Sequence, residues 1–244
     1  MNLNLSATDW QALLLTLKLA GMTTLLLALL GIPLSWWLAN RRGRLRPLLE
    51  VVLSLPLVLP PTVLGFYLLL LLSPNQPLGA LWQQLFNRPL VFSFPGLVAA
   101  SMLYSLPFMV QPLLAAFDQR ALPLAQAAAG LGMPPLARLR SVVLPACRSA
   151  LVVALSMTFA HTLGEFGVVL MIGGAIPGET QVVSVALYQH VENLDYGGAH
   201  RLALVLLLLS VLLLLLGRYW GGRLSGVLLP SRKSPVESAL EARP

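Results

Sequence analysis

Glu165 stands alone as an acidic residue inside a long apolar part of the sequence. A carboxylate at the centre of a bilayer costs at least about 2.5–3.5 kcal/mol, so in a membrane this side chain must face protein, water or an interface. Gly164 and Gly167 flank it and favour a break in the helix or a close helix contact. We therefore expect Glu165 to shape a polar route by bonding backbone donors or a basic partner such as Arg201. The alternative is that Glu165 simply lies near the outer interface.

Hydroxyl and imidazole groups precede Glu165 and could line the same route. Neutral contacts of this kind hold a solute weakly, which suits a passage that must release what it carries. Serine and threonine in membrane helices also serve helix packing, so this alternative stays open for each residue. The candidate pathway residues are Ser105, Ser156, His161, Thr162 and Glu165, with Ser101 and Thr158 as further candidates.

Catalytic, ATP-binding and metal-binding functions lack the spacing they need. Ser156 and His161 are five positions apart, a poor match to one helix face, and no Gly-x-Ser-x-Gly turn surrounds the serine. The sequence has no Gly-x-x-x-x-Gly-Lys-Ser/Thr loop for ATP phosphates. Cys147 and the 3 scattered histidines offer no metal-ligand spacing. We expect no catalytic site, no metal site and no cofactor bound by this chain.

The composition indicates a membrane protein. The 244 residues are 57% hydrophobic and 10% charged, whereas soluble domains carry about 25% charged residues. The net charge of +7 could suggest a nucleic-acid partner. The basic residues, however, cluster in segments between apolar runs, so the excess is a topology signal and no nucleic-acid partner is expected.

Five apolar stretches are long enough to cross a hydrocarbon core that needs roughly 20 helical residues. Basic residues concentrate after the first, third and fifth stretches, while residues 173–199 contain no lysine or arginine. This bias places the N-terminus outside and the C-terminus in the cytoplasm. A sixth membrane-embedded element, near residues 7–17 or 181–190, stays an alternative. The expected spans are residues 12–39, 48–72, 94–117, 144–172 and 202–219.

The expected fold is all-α: a polytopic membrane helix bundle with five, alternatively six, transmembrane helices. One domain covers residues 1–230, and a polar tail, residues 231–244, is expected to be disordered. Pro56, Pro60 and Pro61 should kink or locally unwind the second span, because each proline removes a helical hydrogen bond.

The cytoplasmic segment 122–140 differs from an ordinary loop. It reads LPLAQAAAGLGMPPLARLR and is rich in alanine, a strong helix former. Pro123 can begin a short helix, Gly130 and Gly132 can end it, and Pro134 and Pro135 suit the start of a second one. Two short helices with an exposed apolar surface are typical of a docking site.

This segment resembles the cytoplasmic loop of the binding-protein-dependent ABC permease family, which reads Glu-Ala-Ala, three residues, Gly, nine residues, Ile, one residue, Leu-Pro. Glutamine replaces the family's glutamate here, and valine replaces the isoleucine. The resemblance implies that residues 120–145 form coupling helices seated in a groove of a separate ATPase subunit. Without the carboxylate, that contact would depend on packing by small residues. The matching positions are Gln126, Ala127, Ala128, Gly132, Val142, Leu144 and Pro145.

Residues 55–65, 163–167 and 176–180 also resemble the molybdate permease group, and the Gly-Glu-Phe-Gly element is shared with sulfate and related oxyanion permeases. The resemblance implies a homodimer of permease subunits in a bacterial-type inner membrane. Two ATPase subunits would bind ATP and Mg, and an external binding protein would deliver an oxyanion: molybdate, or alternatively tungstate or sulfate. A secondary transporter without an ATPase and a membrane scaffold are alternatives from other classes. Secondary transporters often have inverted repeats, and we find none here.

Overall fold

The computed structural model of the chain describes residues 5–41 and 43–226, without the side chains of residues 218 and 220–226. These ranges hold twelve α-helices and two π-helical turns, and no strand. The predicted tail, residues 231–244, lies outside the described residues. The helices are α1 Ala7–Ala39, α2 Leu45–Val58, α3 Pro61–Leu72, α4 Pro77–Phe86, α5 Phe94–Ala116, α6 Leu122–Gly130, α7 Pro135–Arg138, α8 Leu144–Ala146, α9 Arg148–Leu163, α10 Gly167–Gly173, α11 Val183–Glu192 and α12 Tyr196–Gly226.

Three of the described helical segments are long and apolar enough to cross a membrane, and up to five qualify if each of two bent helix pairs counts as one span. The three lie in α1, in α5 with its continuation to Gly130, and in α12; the bent pairs are α2 with α3, and 135–146 with α9. The helical membrane bundle is thereby confirmed. Neither candidate for a sixth span forms one, because α1 is continuous from Ala7 and α11 has 10 residues.

Prolines divide the second predicted span, as their positions in the sequence predict. The axes of α2 and α3 differ by 110°. Leu59 and Pro60 each precede a proline, which disfavours the helical conformation. Both adopt extended backbone angles, with ψ of 135° at each residue. The bend therefore follows from local sterics.

The fourth predicted span, residues 144–172, is not one straight helix. The chain bends by 81° where α8 meets α9, and a break at residues 164–166 separates α9 from α10. Behind this break, α10 packs closely on α3. A side chain at Gly167 would place its Cβ 2.8 Å from Cβ of Pro61, and one at Gly65 would come 2.9 Å from Cβ of Met171. Two glycines thus allow the two broken spans to touch.

The largest core cluster joins α1, α5 and α9. Leu27, Met109, Leu113 and Ala154 are buried in it, and the Trp36 ring meets the ring of Phe117 edge to face with centroids 5.8 Å apart. Many leucines on α2 and α12 remain exposed, as expected for helices that face lipid or another subunit. We call the part of the bundle formed by residues 40–41, 43–46 and 117–148 the basic end. The opposite part, residues 5–9 and 173–196, is the acidic end.

Candidate functional site

A hydroxyl and imidazole cluster joins α5 to α9 within the bundle. Oγ of Ser105 lies 2.9 Å from Nδ1 of His161 and 2.9 Å from Oγ1 of Thr162. The Thr162 hydroxyl donates to the carbonyl oxygen of Thr158 at 3.0 Å. Because that bond uses the Thr162 hydrogen, Ser105 donates to Thr162 and His161 Nδ1–H donates to Ser105. The donors therefore run in one order: His161, Ser105, Thr162, then the Thr158 carbonyl.

Two aromatic rings of α5 hold the His161 side chain in this arrangement. The imidazole stacks on Phe108 with centroids 4.0 Å apart, and the Tyr104 ring lies 4.7 Å away. Stacking of this kind restricts the ring to one orientation. The predicted pathway residues Ser105, His161 and Thr162 therefore form one organised polar group.

Glu165 lies in the break between α9 and α10, and its residue surface is 4% exposed. In the part of the chain that the structure describes, neither carboxylate oxygen accepts a hydrogen bond from a backbone amide or from Arg201, and the side chain that interacts with it is the Ser101 hydroxyl of α5. The prediction that Glu165 bonds backbone donors or Arg201 is therefore wrong. Arg201 belongs to α12 and lies beside Gly197, where its Nη1 is 3.7 Å from the position of a Cβ.

The remaining pathway candidates lie apart from this cluster or have no partner. Oγ of Ser156 is 2.8 Å from the position a Cβ would take at Gly217, so this serine packs between α9 and α12. The Ser101 hydroxyl is buried and interacts with the Glu165 carboxylate. The Thr158 hydroxyl is buried without a hydrogen-bond partner among the described residues.

Residues 120–145, which we call the coupling segment after their predicted role, contain the two predicted helices, α6 and α7, at the basic end. Helix α6 ends at Gly130, and Gly132 then takes a φ of +80°, which favours glycine. The Met133 amide donates to the Ala128 carbonyl at 3.1 Å and closes the turn. This local geometry follows directly from the glycine and proline positions.

One face of α6 is exposed, while the opposite face packs on the bundle. Ala125 and Ala128 are buried, whereas Gln126 and Ala127 are exposed. Leu131 in the turn is 89% exposed, and Leu124 and Leu136 are also exposed. Among the other predicted contact residues, Gly132 and Pro145 are exposed and Leu144 is half-buried. Apolar side chains clustered on an exposed turn indicate a docking surface.

A family model described as "Binding-protein-dependent transport system inner membrane component" matches residues 31–226. The chain belongs to this family. It is therefore a multi-pass inner-membrane component of a transport system. The matched residues include both the hydroxyl and imidazole cluster and the coupling segment.

Relatives of this permease are described as permease proteins of molybdenum or sulfate transport systems. It is 49% identical to the molybdenum transport system permease protein ModB of Azotobacter vinelandii, over 86% of this chain and 93% of the relative. It is 33% identical to ModB of Escherichia coli K12, over 91% and 96% of the two chains. The sulfate transport system permease protein CysT of Salmonella typhimurium is 32% identical over 82% and 72%.

Solved structures with the same fold include a bacterial ABC transporter that imports the acidic polysaccharide alginate. This permease matches it with a TM-score of 0.72 at 16% identity, covering 89% of this chain and 80% of that one. The alginate transporter in complex with an alginate-bound periplasmic protein matches with a TM-score of 0.71 at 17% identity. These likenesses establish the fold.

The permease also contains a polar group between α2 and α5 that the sequence analysis did not identify. Arg46 bonds Glu50, with Nε and Oε1 2.7 Å apart, and also pairs with Asp118 in the first π-helical turn. Nε2 of Gln111 donates to Oγ of Ser54 at 3.0 Å. A cavity of about 310 Å³ is lined by these five residues. The spacing of Arg46 and Glu50, four apart on a helix, was the available signal.

Proposed function

We propose that this permease is the membrane subunit of an ATP-driven importer that carries molybdate across the cytoplasmic membrane. The observation that carries the proposal is the 49% identity to the Azotobacter vinelandii molybdenum permease over 93% of that protein. Identity to the sulfate permease is 32% and covers 72% of its length, so sulfate is the second candidate.

The proposed importer contains two copies of this chain and two ATPase subunits. The sequence has no phosphate-binding loop of its own, so ATP and Mg would bind the ATPase subunits and no cofactor would bind this chain. Gln126, Ala127 and Leu131 present the exposed surface that would enter an ATPase groove. Because position 126 carries no charge, small-residue packing and burial of Leu131 would supply the contact.

The distribution of basic residues supports an orientation for the permease. Arg41, Arg44, Arg138 and Arg140 belong to the basic end, and the excess of basic residues on cytoplasmic segments of membrane proteins supports a cytoplasmic location for that end. The N-terminus and the acidic end then face outside, where a binding protein would deliver the oxyanion. One of the solved transporters with this fold is described in complex with a periplasmic protein.

The hydroxyl and imidazole cluster of Ser105, His161 and Thr162 would provide weak, neutral contacts for the passing anion. Ser105 and His161 lie on α5 and α9, whose partly buried surfaces meet in the centre of the bundle. ATP-driven closure of the ATPases would move α6, which continues directly from the π-helical turn that Arg46 holds. Movement of the coupling segment would thereby reach α2 and α5 as one unit.

Uptake by proteoliposomes that contain the permease, its ATPase and its binding protein tests this function. We expect molybdate uptake that requires ATP and that tungstate inhibits more strongly than sulfate does. Uptake that is independent of ATP would instead favour a secondary transporter. A stronger effect of sulfate would make sulfate the substrate.

A matched pair of serine variants tests the pathway assignment in the same assay. Ser105→Ala removes the hydroxyl between His161 and Thr162, and we expect slower uptake. Ser156→Ala removes a hydroxyl that lies against Gly217, and uptake should remain near that of the wild type. Equal effects of the two substitutions would contradict the assignment.

A further inference from the structure

His190 at the acidic end bonds two carboxylates from different parts of the chain. Its Nε2 lies 3.0 Å from Oδ1 of Asp9 at the start of α1. Its Nδ1 lies 2.8 Å from Oδ2 of Asp195, which immediately precedes α12. Since His190 belongs to the last turn of α11, its imidazole ring connects three helices.

Both carboxylates are held in place by further bonds. Asp9 is buried, and its Oδ2 accepts from the Ser6 amide at 3.1 Å while its own amide donates to Oγ of Ser6. Oδ1 of Asp195 accepts from the Gly198 amide at 3.0 Å. A side chain at Gly198 would collide with Asp195 and with His190. The imidazole therefore lies between two acceptors with fixed positions.

This geometry determines which form of the imidazole fits. An ionised carboxylate only accepts hydrogen bonds, so each ring nitrogen must donate. A neutral imidazole has one N–H and can satisfy one of the two aspartates; the imidazolium has two and satisfies both.

The surrounding charges agree with a protonated His190. Asp9 from α1 and Asp195 from the segment before α12 face the ring, while Arg201 of α12 interacts with Asp195. Glu192 on α11 itself interacts with Tyr188. The adjoining cavity of about 180 Å³ adds neutral groups, among them Gln181 and Asn193. The hydrogen bond to Asp9 is the largest influence and raises the pKa of His190 above its ordinary value of 6.5; partial burial opposes this rise and the hydrogen bond to Asp195 adds to it.

Helix α11 connects this ring to the buried break that contains Glu165. Oγ of Ser184 donates to the Glu165 carbonyl at 2.5 Å, and the rings of Phe166 and Tyr188 are 5.1 Å apart. At the N-terminus of α11, the Val183 amide donates to Oγ1 of Thr16 at 2.9 Å. The position of α11 therefore fixes the position of the break.

We propose that His190 is a positioning residue whose imidazolium holds α11 against α1 and α12, and that loss of its proton releases one of these contacts. We call Asp9, His190 and Asp195 the outer latch. Release loosens the support for the Glu165 break, so transport becomes dependent on external pH. This last consequence rests on the proposed function and orientation; the latch itself does not.

The direction of the pH dependence follows from the raised pKa of His190. The stabilising contribution is fully present below the unfolded-state pKa near 6.5 and is lost as the pH rises through the higher folded-state pKa. The latch is therefore closed in mildly acidic medium and opens in alkaline medium.

Thermal unfolding of the full chain in detergent, from about pH 6 to about pH 9, tests the latch without any substrate. Across this range the Tm of the wild type should fall by about 2–4 °C more than that of His190→Gln, the size expected for one net hydrogen bond. His200→Gln is the matched control, since His200 is exposed on α12, and should behave as the wild type. Parallel curves for wild type and His190→Gln would overturn the proposal.

A second variant and a transport readout separate the latch from a general structural role. If His190→Gln does not fold, Asp195→Asn provides the test, because Asp195 is half exposed and its amide replacement keeps the shape. For this variant the pH-dependent decrease in Tm should occur at lower pH than in the wild type. A decrease at the same pH as in the wild type would overturn the proposal. In the assembled importer, the pH profile of molybdate uptake should be flatter for His190→Gln than for the wild type. A latch seen in unfolding without any molybdate uptake would refute the proposed function alone.

Discussion

The two ends of the bundle use the same arrangement of charges with different cations. At the basic end, Arg46 lies between the carboxylates of Glu50 and Asp118. At the acidic end, His190 lies between those of Asp9 and Asp195. A guanidinium stays charged at every physiological pH, whereas an imidazole titrates within that range. The ion pairs of Arg46 at the basic end therefore persist at any such pH. Those of His190 at the acidic end persist only while the imidazole is protonated.

The two groups also differ in their exposure to water. The side chains of Glu50 and Asp118 are 40% and 32% exposed, while at the acidic end that of Asp9 is 4% exposed and that of Asp195 is 49% exposed. Water screens exposed ion pairs, which typically contribute below about 1 kcal/mol. The comparison indicates that the acidic end, with its buried carboxylate, depends more strongly on its central cation.

The largest expected effect is on ATPase binding, which we propose for the basic end and not for the acidic end. Leu131→Asp places a carboxylate on the most exposed apolar residue of the coupling segment, and we expect an at least about tenfold loss of co-purified ATPase, because burying that charge costs several kcal/mol. Leu194→Asp is the control, since Leu194 is 72% exposed at the acidic end. ATPase retained by Leu131→Asp, or lost equally by both variants, would refute a docking surface at Leu131.

The next effect concerns the contact between the two broken spans, which lies between the ends. Gly167→Ala introduces a Cβ 2.8 Å from Cβ of Pro61. Overpacking of this kind costs about 1–3 kcal/mol, and each 1 kcal/mol lowers Tm by about 2–4 °C in a chain of this length. At Gly164 the nearest atom to such a Cβ is 3.9 Å away, so Gly164→Ala should melt close to the wild type. Similar Tm values for the two variants would argue against tight packing at Gly167.

A smaller loss of stability is expected at the basic end, and unlike the contribution of His190 it should not depend on pH. Arg46→Met removes the cation between two partly exposed carboxylates, so the free energy of unfolding should fall by no more than about 1 kcal/mol. The loss of Tm should be the same at about pH 6 and about pH 9, because arginine does not titrate there. A loss that changes across this range would show that the two ends do not differ as described.

The smallest effect is expected from Asp9→Asn. The amide has one acceptor oxygen, which can keep the bond to His190 while the bond from the Ser6 amide is lost. The carboxylate that contributes most to the raised pKa of His190 is gone. The pH-dependent step in Tm should therefore remain and move to lower pH. A step at the wild-type pH would mean that Asp9 does not influence the charge of His190.

Features governed by neighbouring residues were predictable from the sequence. The length of the apolar stretches predicts the membrane spans, and the prolines around Pro60 predict the break between α2 and α3. Gly130, Gly132 and Pro135 gave the two coupling helices and the turn between them. Each depends on backbone preferences that act within a few residues.

Contacts between distant residues were not predictable in the same way. His190 meets Asp9 across 181 positions, and Arg46 meets Asp118 across 72. The direction in which a helix faces is a tertiary property, so the sequence could not show that Ser156 packs against Gly217. For the same reason Arg201 was assigned to Glu165, although it lies near Asp195.

The order of donors from His161 to the Thr158 carbonyl has a consequence for the proton gradient across the membrane. A proton moves along a hydrogen-bonded chain when each member can accept one proton and release another. A backbone carbonyl has none to release, so this chain is a dead end for protons. Polar groups can thus contact an anion inside the bundle without conducting protons along the cluster. An importer built in this way can move its substrate without dissipating the proton gradient through these groups.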